Sequence, residues 1–125
     1  MHNMKRERIL VVDDDDDILE IVTLLLSERG YEVRMLNHGD TIFDDIREFQ
    51  PGLVLMDVML GDMDGRAICQ DLKKDPLIGS LPVILISGTH DLAESINLPG
   101  GPDDFIAKPF DLDELYTKVE RHLAA

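Results

Sequence analysis

Short apolar runs alternate with amphipathic stretches from one end of the chain to the other. Continuous aliphatic runs occupy residues 9–12, 53–56 and 83–86. Runs of this kind and length are typical of strands that are buried on both faces of a parallel sheet. Residues 31–36 alternate apolar and polar positions instead, which predicts a less covered strand at a sheet edge. Residues 105–107 are a short fifth strand candidate.

Amphipathic stretches that predict helices follow four of these five strand candidates. Their apolar residues recur three and four positions apart within 18–26, 42–49, 65–72 and 112–123. Gly30 stands where a C-terminal cap belongs, and Asp111 is a candidate N-cap for the last stretch. The segment after the fourth strand follows the pattern less well, and the Pro-Gly-Gly-Pro sequence at 99–102 ends it. We therefore expect a short or distorted fourth helix.

Five alternations of strand and helix predict one α/β domain with an open, doubly wound parallel sheet and right-handed crossovers. A chain of 125 residues fits a single domain over 1–125, with a core from about residue 8 to residue 123. In sheets of this type, ligands bind beyond the carboxyl ends of the strands, near the switch in strand order. The residues that follow the strands are therefore the candidates for function.

The net charge of −14 narrows the range of partners that we expect. So acidic a domain argues against direct contact with nucleic acid or with an anionic membrane surface. No apolar run approaches the roughly 20 residues that cross a bilayer, and the polar start of the chain is unlike a signal peptide. The one cysteine, Cys69, excludes an internal disulfide and suits a reducing cytoplasm, where we expect the protein to reside.

Acidic, hydroxyl and basic side chains follow the predicted strands. Asp13 and Asp14 follow the first strand and Asp57 the third, while Ser87 follows the fourth and Lys108 the fifth. In a parallel sheet these ends meet at one edge, so three carboxylates would share a crevice with one lysine. Two carboxylates about 4–5 Å apart repel by roughly 4 kcal/mol at an effective dielectric near 20. Protons or a divalent cation must offset this repulsion, and oxygen ligands alone favour magnesium.

The order and placement of these residues resemble the receiver domain of two-component response regulators, the CheY-like superfamily. The resemblance covers about Arg8 to Leu123. Its motifs are Ile-Leu-Val-Val-Asp-Asp at 9–14, the segment 57–65 that ends in Met-Asp-Gly, and Asp-Asp-Phe-Ile-Ala-Lys-Pro-Phe at 103–110. The family implies a flavodoxin-like fold whose five parallel strands lie in the order 2-1-3-4-5. That order agrees with an edge position for residues 31–36.

The resemblance implies that Asp57 takes a phosphoryl group from a sensor histidine kinase or a histidine phosphotransfer protein. Mg²⁺ or Mn²⁺ would be bound directly by Asp14 and largely through water by Asp13. Asp57 and the backbone carbonyl of Met59 would complete the protein ligands. The chain would be a signalling switch and not an enzyme, capable only of self-assisted phosphorylation and autodephosphorylation. An output domain or effector outside this chain would respond to the switch.

Three further residues receive roles from the resemblance. Lys108 would pair with the phosphoryl group, and the Lys108-Pro109 peptide would be cis. Ser87 would hydrogen-bond a phosphoryl oxygen and move toward it, and Phe105 would turn inward as Ser87 moves. An aromatic residue at a strand end is also common in plain core, and a hydroxyl can be purely structural. Those simpler interpretations of Phe105 and Ser87 stay open.

The chain departs from the family pattern at two places. Gly61 stands where the family usually has proline, which leaves the geometry of that loop open, although we do not expect the chemistry to depend on it. The stretch between Ser87 and Lys108 is slightly shorter than is common, so the output surface should differ from that of common dimerising transcription factors. Met59 and Thr89 flank the phosphoryl site and should influence the access of water to it.

Three other functions fit the same residues less well. A magnesium-dependent phosphohydrolase commonly needs a second aspartate two positions after the nucleophile, where this chain has Met59. A flavin-binding electron carrier needs a Ser/Thr/Gly-rich phosphate loop after the first strand, and the acidic run there is not one. A degenerate receiver used only for protein contacts is disfavoured by the intact set of Asp13, Asp14, Asp57 and Lys108.

Overall fold

The computed structural model describes residues 7–88 and 100–124. The strands of the main sheet are β1 (Arg8–Val12), β2 (Glu32–Leu36), β3 (Leu53–Asp57), β6 (Val83–Ser87) and β7 (Asp104–Ala107). Two short strands, β4 (Met59–Leu60) and β5 (Met63–Asp64), form a separate antiparallel pair. The helices are α1 (Asp16–Glu28), α2 (Ile42–Phe49), α3 (Gly65–Lys74) and α4 (Leu112–Ala124).

The main sheet is parallel throughout and has the strand order β2-β1-β3-β6-β7. Counted within this sheet, the order is 2-1-3-4-5, which confirms the predicted doubly wound α/β fold. The alternating stretch at 31–36 contains the edge strand β2, as predicted. The switch in strand order lies between β1 and β3, so the carboxyl ends of these two strands border the crevice where ligands bind in such sheets.

Two hydrophobic clusters cover the two faces of the sheet. Side chains alternate between the faces along each strand, so Leu10 and Val12 belong to one cluster and Ile9 and Val11 to the other. The first cluster includes apolar residues of α2 and α3, and the second includes those of α1 and α4. All five positions of β3 and of β6 are buried, as the continuous aliphatic runs predict.

Gly30 and Asp111 lie at the helix ends where the sequence predicts caps, and Asp15 caps α1 as well. The Asp15 carboxylate accepts hydrogen bonds from the amides of Asp17 and Ile18 and caps α1. Gly30, with φ of 89°, ends that helix in the left-handed region that favours glycine. The Asp111 carboxylate accepts a hydrogen bond from the Asp113 amide at 3.0 Å, which confirms the predicted cap of α4. In the described parts of the chain, no helix has the length and apolar character needed to cross a bilayer.

The segment that leads into β7 is tied to the rest of the domain by Asp103. Its Oδ2 atom lies 2.5 Å from Lys73 Nζ of α3 and accepts a hydrogen bond from the Val83 amide at 2.8 Å. The Asp103 amide in turn donates to the Val83 carbonyl at 2.9 Å. The short or distorted helix that the sequence predicts between the fourth and fifth strands of the main sheet is not α4. It and Thr89 fall at positions 89–99, outside the described residues.

Candidate functional site

The carboxyl ends of four parallel strands bring the predicted site residues together. Asp13 follows β1, Asp57 ends β3, Ser87 ends β6 and Lys108 follows β7. Single carboxylate oxygens of Asp13, Asp14 and Asp57 all lie within 4.8 Å of one another. The parallel topology thus places side chains that are far apart in the sequence in one crevice, as the strand-end argument predicts.

Lys108 is the cation of this crevice. Its Nζ atom lies 3.0 Å from Asp57 Oδ2 and 3.4 Å from Asp13 Oδ2. The Lys108 amide donates to the Ser87 carbonyl at 2.8 Å, and the Lys108-Pro109 peptide is cis, as predicted. Burial lowers the pKa of the Lys108 ammonium, but its hydrogen bonds to Asp57 and Asp13 and their charges outweigh burial and raise it above its usual value. The ammonium therefore stays protonated at neutral pH.

Asp13 is fully buried, with 0% of its surface exposed. Its Oδ1 atom accepts a hydrogen bond from the Asp15 amide at 3.0 Å. Burial raises the pKa of Asp13 to about 6, and the charge of Asp57 also raises it, whereas the Asp15 amide and Lys108 lower it. Burial and the charge of Asp57 together outweigh the Asp15 amide and Lys108, so one lysine does not offset the repulsion between the carboxylates.

Asp14 is exposed and is held by the loop after β3. Its Oδ2 atom accepts a hydrogen bond from the Gly61 amide at 2.9 Å. Gly61 has φ of 63°, which proline cannot adopt, and proline would also lack the donating N–H. The sequence alone leaves the geometry of this loop open and does not connect Gly61 to Asp14. The only signal available was a glycine at a position that the family usually gives to proline.

A close approach of two backbone segments fixes the loop after Asp57. The Gly65 amide donates to the Val58 carbonyl at 2.7 Å, and a Cβ atom at position 65 would overlap the carbonyl oxygen of Asp57. The Met59 amide donates to Asp57 Oδ1 at 3.2 Å, so the two oxygens of the Asp57 carboxylate have different partners. Met59 is 72% exposed beside the crevice.

The two predicted switch residues lie on β6 and β7. Ser87 is buried, with 4% of its surface exposed, and it pairs with Ala107 in the register of the two strands. Phe105 is half-buried and packs against the hydrophobic cluster on the face of α2 and α3. These positions are compatible with both the switch interpretation and the structural interpretation of each residue.

The donor set of the crevice fits a divalent cation. Asp13, Asp14 and Asp57 offer oxygen ligands, and hard oxygen ligands are those that Mg²⁺ prefers. A bound cation would also offset the repulsion that raises the pKa of Asp13. The acidic cluster could therefore hold a metal ion.

Comparison with known proteins identifies the family. The family model of the response regulator receiver domain matches residues 9–120. This chain belongs to the response regulator receiver family. The receiver domain is 34% identical over 119 residues to the DNA-binding response regulator MtrA of Mycolicibacterium smegmatis, a match covering 94% of this chain and 51% of that protein. It thus spans about half the length of the curated relatives that it matches.

Solved structures of receiver domains share the fold. The CheY-like response regulator receiver domain protein from Methanospirillum hungatei JF-1 is 30% identical with a TM-score of 0.85, over 96% of this chain and 95% of that one. The signal receiver domain of a signal transduction histidine kinase from Syntrophus aciditrophicus is 32% identical with a TM-score of 0.84, over 94% and 90%. Receiver domains similar to this one therefore occur both in response regulators and in a histidine kinase.

Proposed function

We propose that this receiver domain, taken as a single domain over 1–125, is a phosphoaccepting switch of a two-component phosphorelay. Asp57 accepts a phosphoryl group from a phosphohistidine on a sensor histidine kinase or a histidine phosphotransfer protein. The observation that carries the proposal is the 3.0 Å contact between Lys108 Nζ and Asp57 Oδ2 beside the acidic cluster. An aspartate placed between a lysine and a cluster suited to a cation is equipped for phosphoryl transfer.

The proposed transfer is an in-line displacement at phosphorus. A carboxylate oxygen of Asp57 forms the new O–P bond while the N–P bond of the phosphohistidine breaks. The other ring nitrogen of the phosphohistidine carries a proton before transfer, so the electron pair of the N–P bond returns to the imidazole and the ring leaves neutral with that proton. The product is a mixed anhydride of the Asp57 carboxylate and phosphate, so no oxidant or further reactant is needed.

Charge stabilisation comes from the residues around Asp57. The Lys108 ammonium pairs with the phosphoryl oxygens, and the Ser87 hydroxyl donates a hydrogen bond to one of them. Asp13, Asp14, Asp57 and the backbone carbonyl of Met59 would hold Mg²⁺ or Mn²⁺. When bound, this cation supplies positive charge next to the phosphoryl oxygens. The role of this chain is mainly to position these groups in advance.

The switch that we propose runs from Asp57 to β6 and β7. Ser87 moves toward the phosphoryl group, and the Phe105 ring turns inward into the space that Ser87 leaves. Met59, which is 72% exposed beside the crevice, and Thr89 set how easily water reaches the acyl phosphate. We expect an output segment or effector outside this chain to respond. With a net charge of −14, the domain itself is unsuited to contact DNA directly.

Phosphorylation by a small-molecule donor tests the proposal. Acetyl phosphate and Mg²⁺ should add the mass of one phosphoryl group to the intact protein, and EDTA or Asp57→Asn should abolish the addition. Asp62→Asn is the matched control, because it removes an exposed carboxylate from the same loop. An unmodified wild-type protein that also fails to bind beryllofluoride would indicate a degenerate receiver. Modification that persists in Asp57→Asn would place the phosphoryl group elsewhere.

The phosphohydrolase alternative predicts a different result. A hydrolase needs a general acid near the nucleophile, and the thioether of Met59 cannot donate or accept a proton in that role. We therefore expect the protein not to hydrolyse phosphate monoesters catalytically. The monoester is supplied at the acetyl phosphate concentration that fully phosphorylates Asp57. Steady hydrolysis of a monoester that Asp57→Asn abolishes would contradict the switch.

A further inference from the structure

Lys118 of α4 contacts both the backbone and the ring of Phe105 on β7. Its Nζ atom lies 2.6 Å from the Phe105 carbonyl oxygen and 4.9 Å from the centroid of the Phe105 ring. The same nitrogen lies 3.3 Å from Asp104 Oδ1, and that oxygen accepts a hydrogen bond from the Phe105 amide at 2.9 Å. Asp104 and Lys118 therefore hold both backbone groups of Phe105, and Lys118 also touches the ring.

The contact between Lys118 and the Phe105 ring passes around the outer edge of the main sheet, beside β7. Ile106 packs with Leu115 and Val119 of α4 on one face, whereas Phe105 packs against the cluster on the opposite face. Because β7 is the last strand in the sheet order, a long side chain from α4 can reach past it. The Lys118 side chain is only 17% exposed, so most of its stem is packed against the protein while its ammonium binds its partners.

We propose that Lys118 is a positioning residue that holds the Phe105 ring in its present half-buried place until Asp57 is phosphorylated. This rests on the proposed function, in which Phe105 turns inward after phosphorylation. An ammonium near the face of an aromatic ring stabilises that ring position, and moving the ring away breaks the contact. Lys118 therefore sets how readily the ring leaves its resting place.

Replacement of Lys118 tests this role in the metal-free, unphosphorylated protein. Lys118→Met keeps an unbranched apolar stem and removes the charge, and Lys118→Arg restores a cation. We expect Lys118→Met to raise the fraction of inward Phe105 rotamers about fivefold in side-chain NMR spectra, and Lys118→Arg to return it toward the wild-type value. Glu114→Gln is the control, because it removes only the 3.8 Å ion pair on the outer side of Lys118. An unchanged rotamer fraction in Lys118→Met would overturn the proposal.

The wild-type protein gives a second measurement that does not depend on the folding of any variant. The Phe105 ring current should move the ε-methylene proton resonances of Lys118 upfield, and beryllofluoride with Mg²⁺ should remove that displacement. Absence of the upfield position in the unphosphorylated protein overturns the role of Lys118. If the position is present and beryllofluoride has no effect on any site residue, the proposed phosphoacceptor function fails while the contact of Lys118 with Phe105 stands.

Discussion

The amide of Gly61 donates a hydrogen bond to Asp14, with a distance of 2.9 Å to the Oδ2 atom. The contact joins the loop after β3 to the loop after β1, on the two sides of the switch in strand order. It holds an exposed carboxylate beside the two buried ones, Asp13 and Asp57, in a cluster that could hold a cation. Gly61 is therefore part of the site through its backbone N–H alone.

We predict that Gly61→Pro weakens Mg²⁺ binding by about tenfold, since partners that orient metal ligands typically contribute this much to affinity. Proline removes the N–H that holds Asp14 and cannot adopt φ of 63°. Gly61→Ala keeps the N–H at the cost of strain at positive φ, so its loss of affinity should be smaller. Calorimetric titration with Mg²⁺ measures both variants. Equal affinity of Gly61→Pro and wild type would show that this contact does not orient Asp14.

Asp13→Asn should stabilise the metal-free protein at alkaline pH. Burial raises the pKa of Asp13 to about 6, above the ordinary 3.8. The folded state therefore binds a proton that the unfolded state has lost, and above pH 6 the ionised Asp13 destabilises the fold. Removing the charge should raise the free energy of unfolding by about 3 kcal/mol at pH 8.

The gain in the free energy of unfolding of Asp13→Asn over wild type should shrink as the pH falls through 6. It should vanish below 3.8, where Asp13 is protonated in both the folded and the unfolded state. Urea unfolding in EDTA across this pH range measures it. Saturating Mg²⁺ should remove the advantage of the variant, because the cation stabilises the wild-type carboxylate. A constant difference between variant and wild type from pH 4 to pH 8 would contradict the pKa assigned to Asp13.

Gly65→Ala should destabilise the domain and distort the loop that follows Asp57. A Cβ atom there would overlap the Asp57 carbonyl oxygen and approach the Cα atom of Val58 to 3.0 Å, so backbone must move. We expect a loss of about 2–3 kcal/mol in thermal or urea unfolding, as for other overpacked sites. Gly88→Ala is the matched control at the same edge of the sheet, since a Cβ there meets no heavy atom within 4 Å among the described residues other than its chain neighbours. Comparable stability of the two variants would mean that the backbone of Asp57 and Val58 can move away from residue 65 at little cost.

Asp104→Asn should lower stability at neutral pH and lose its effect in acid. Burial alone would raise the pKa of Asp104, but hydrogen bonds from His122, the Phe105 amide and Lys118 outweigh it and hold the pKa below 3.8. A carboxylate whose pKa is lowered by folding stabilises the fold above its unfolded pKa, and that contribution is lost as the pH falls through the folded pKa.

We expect Asp104→Asn to lower the free energy of unfolding by about 2 kcal/mol at pH 7, the usual scale for a charge-assisted hydrogen-bonded carboxylate. The difference from wild type should begin to shrink near pH 4 and disappear at lower pH. Asp71→Asn, at an exposed position of α3, serves as the control and should change stability little at any pH. A deficit of Asp104→Asn that persists unchanged at pH 2 would point to lost packing in place of lost charge.

The sequence predicted those parts of the site that follow from topology. Asp57 and Lys108 converge because each follows an apolar run and parallel strands bring their carboxyl ends to one edge. No periodicity predicts the contacts of Gly61 or Lys118, because each depends on a distance between segments that the pattern does not relate. The Asp14 contact needs a particular φ at Gly61, and the Phe105 contact needs α4 to lie close to a free sheet edge.

The burial of β3 at all five positions has a mechanical consequence for Asp57. A strand enclosed by neighbours on both sides and by helices on both faces has little freedom to shift, and its amides should exchange with solvent only when much of the domain unfolds. Asp57 is thus attached to a strand that is buried along its whole length. We therefore expect a change of charge at Asp57 to move the surrounding loops and the edge strand β7 more than β3 itself.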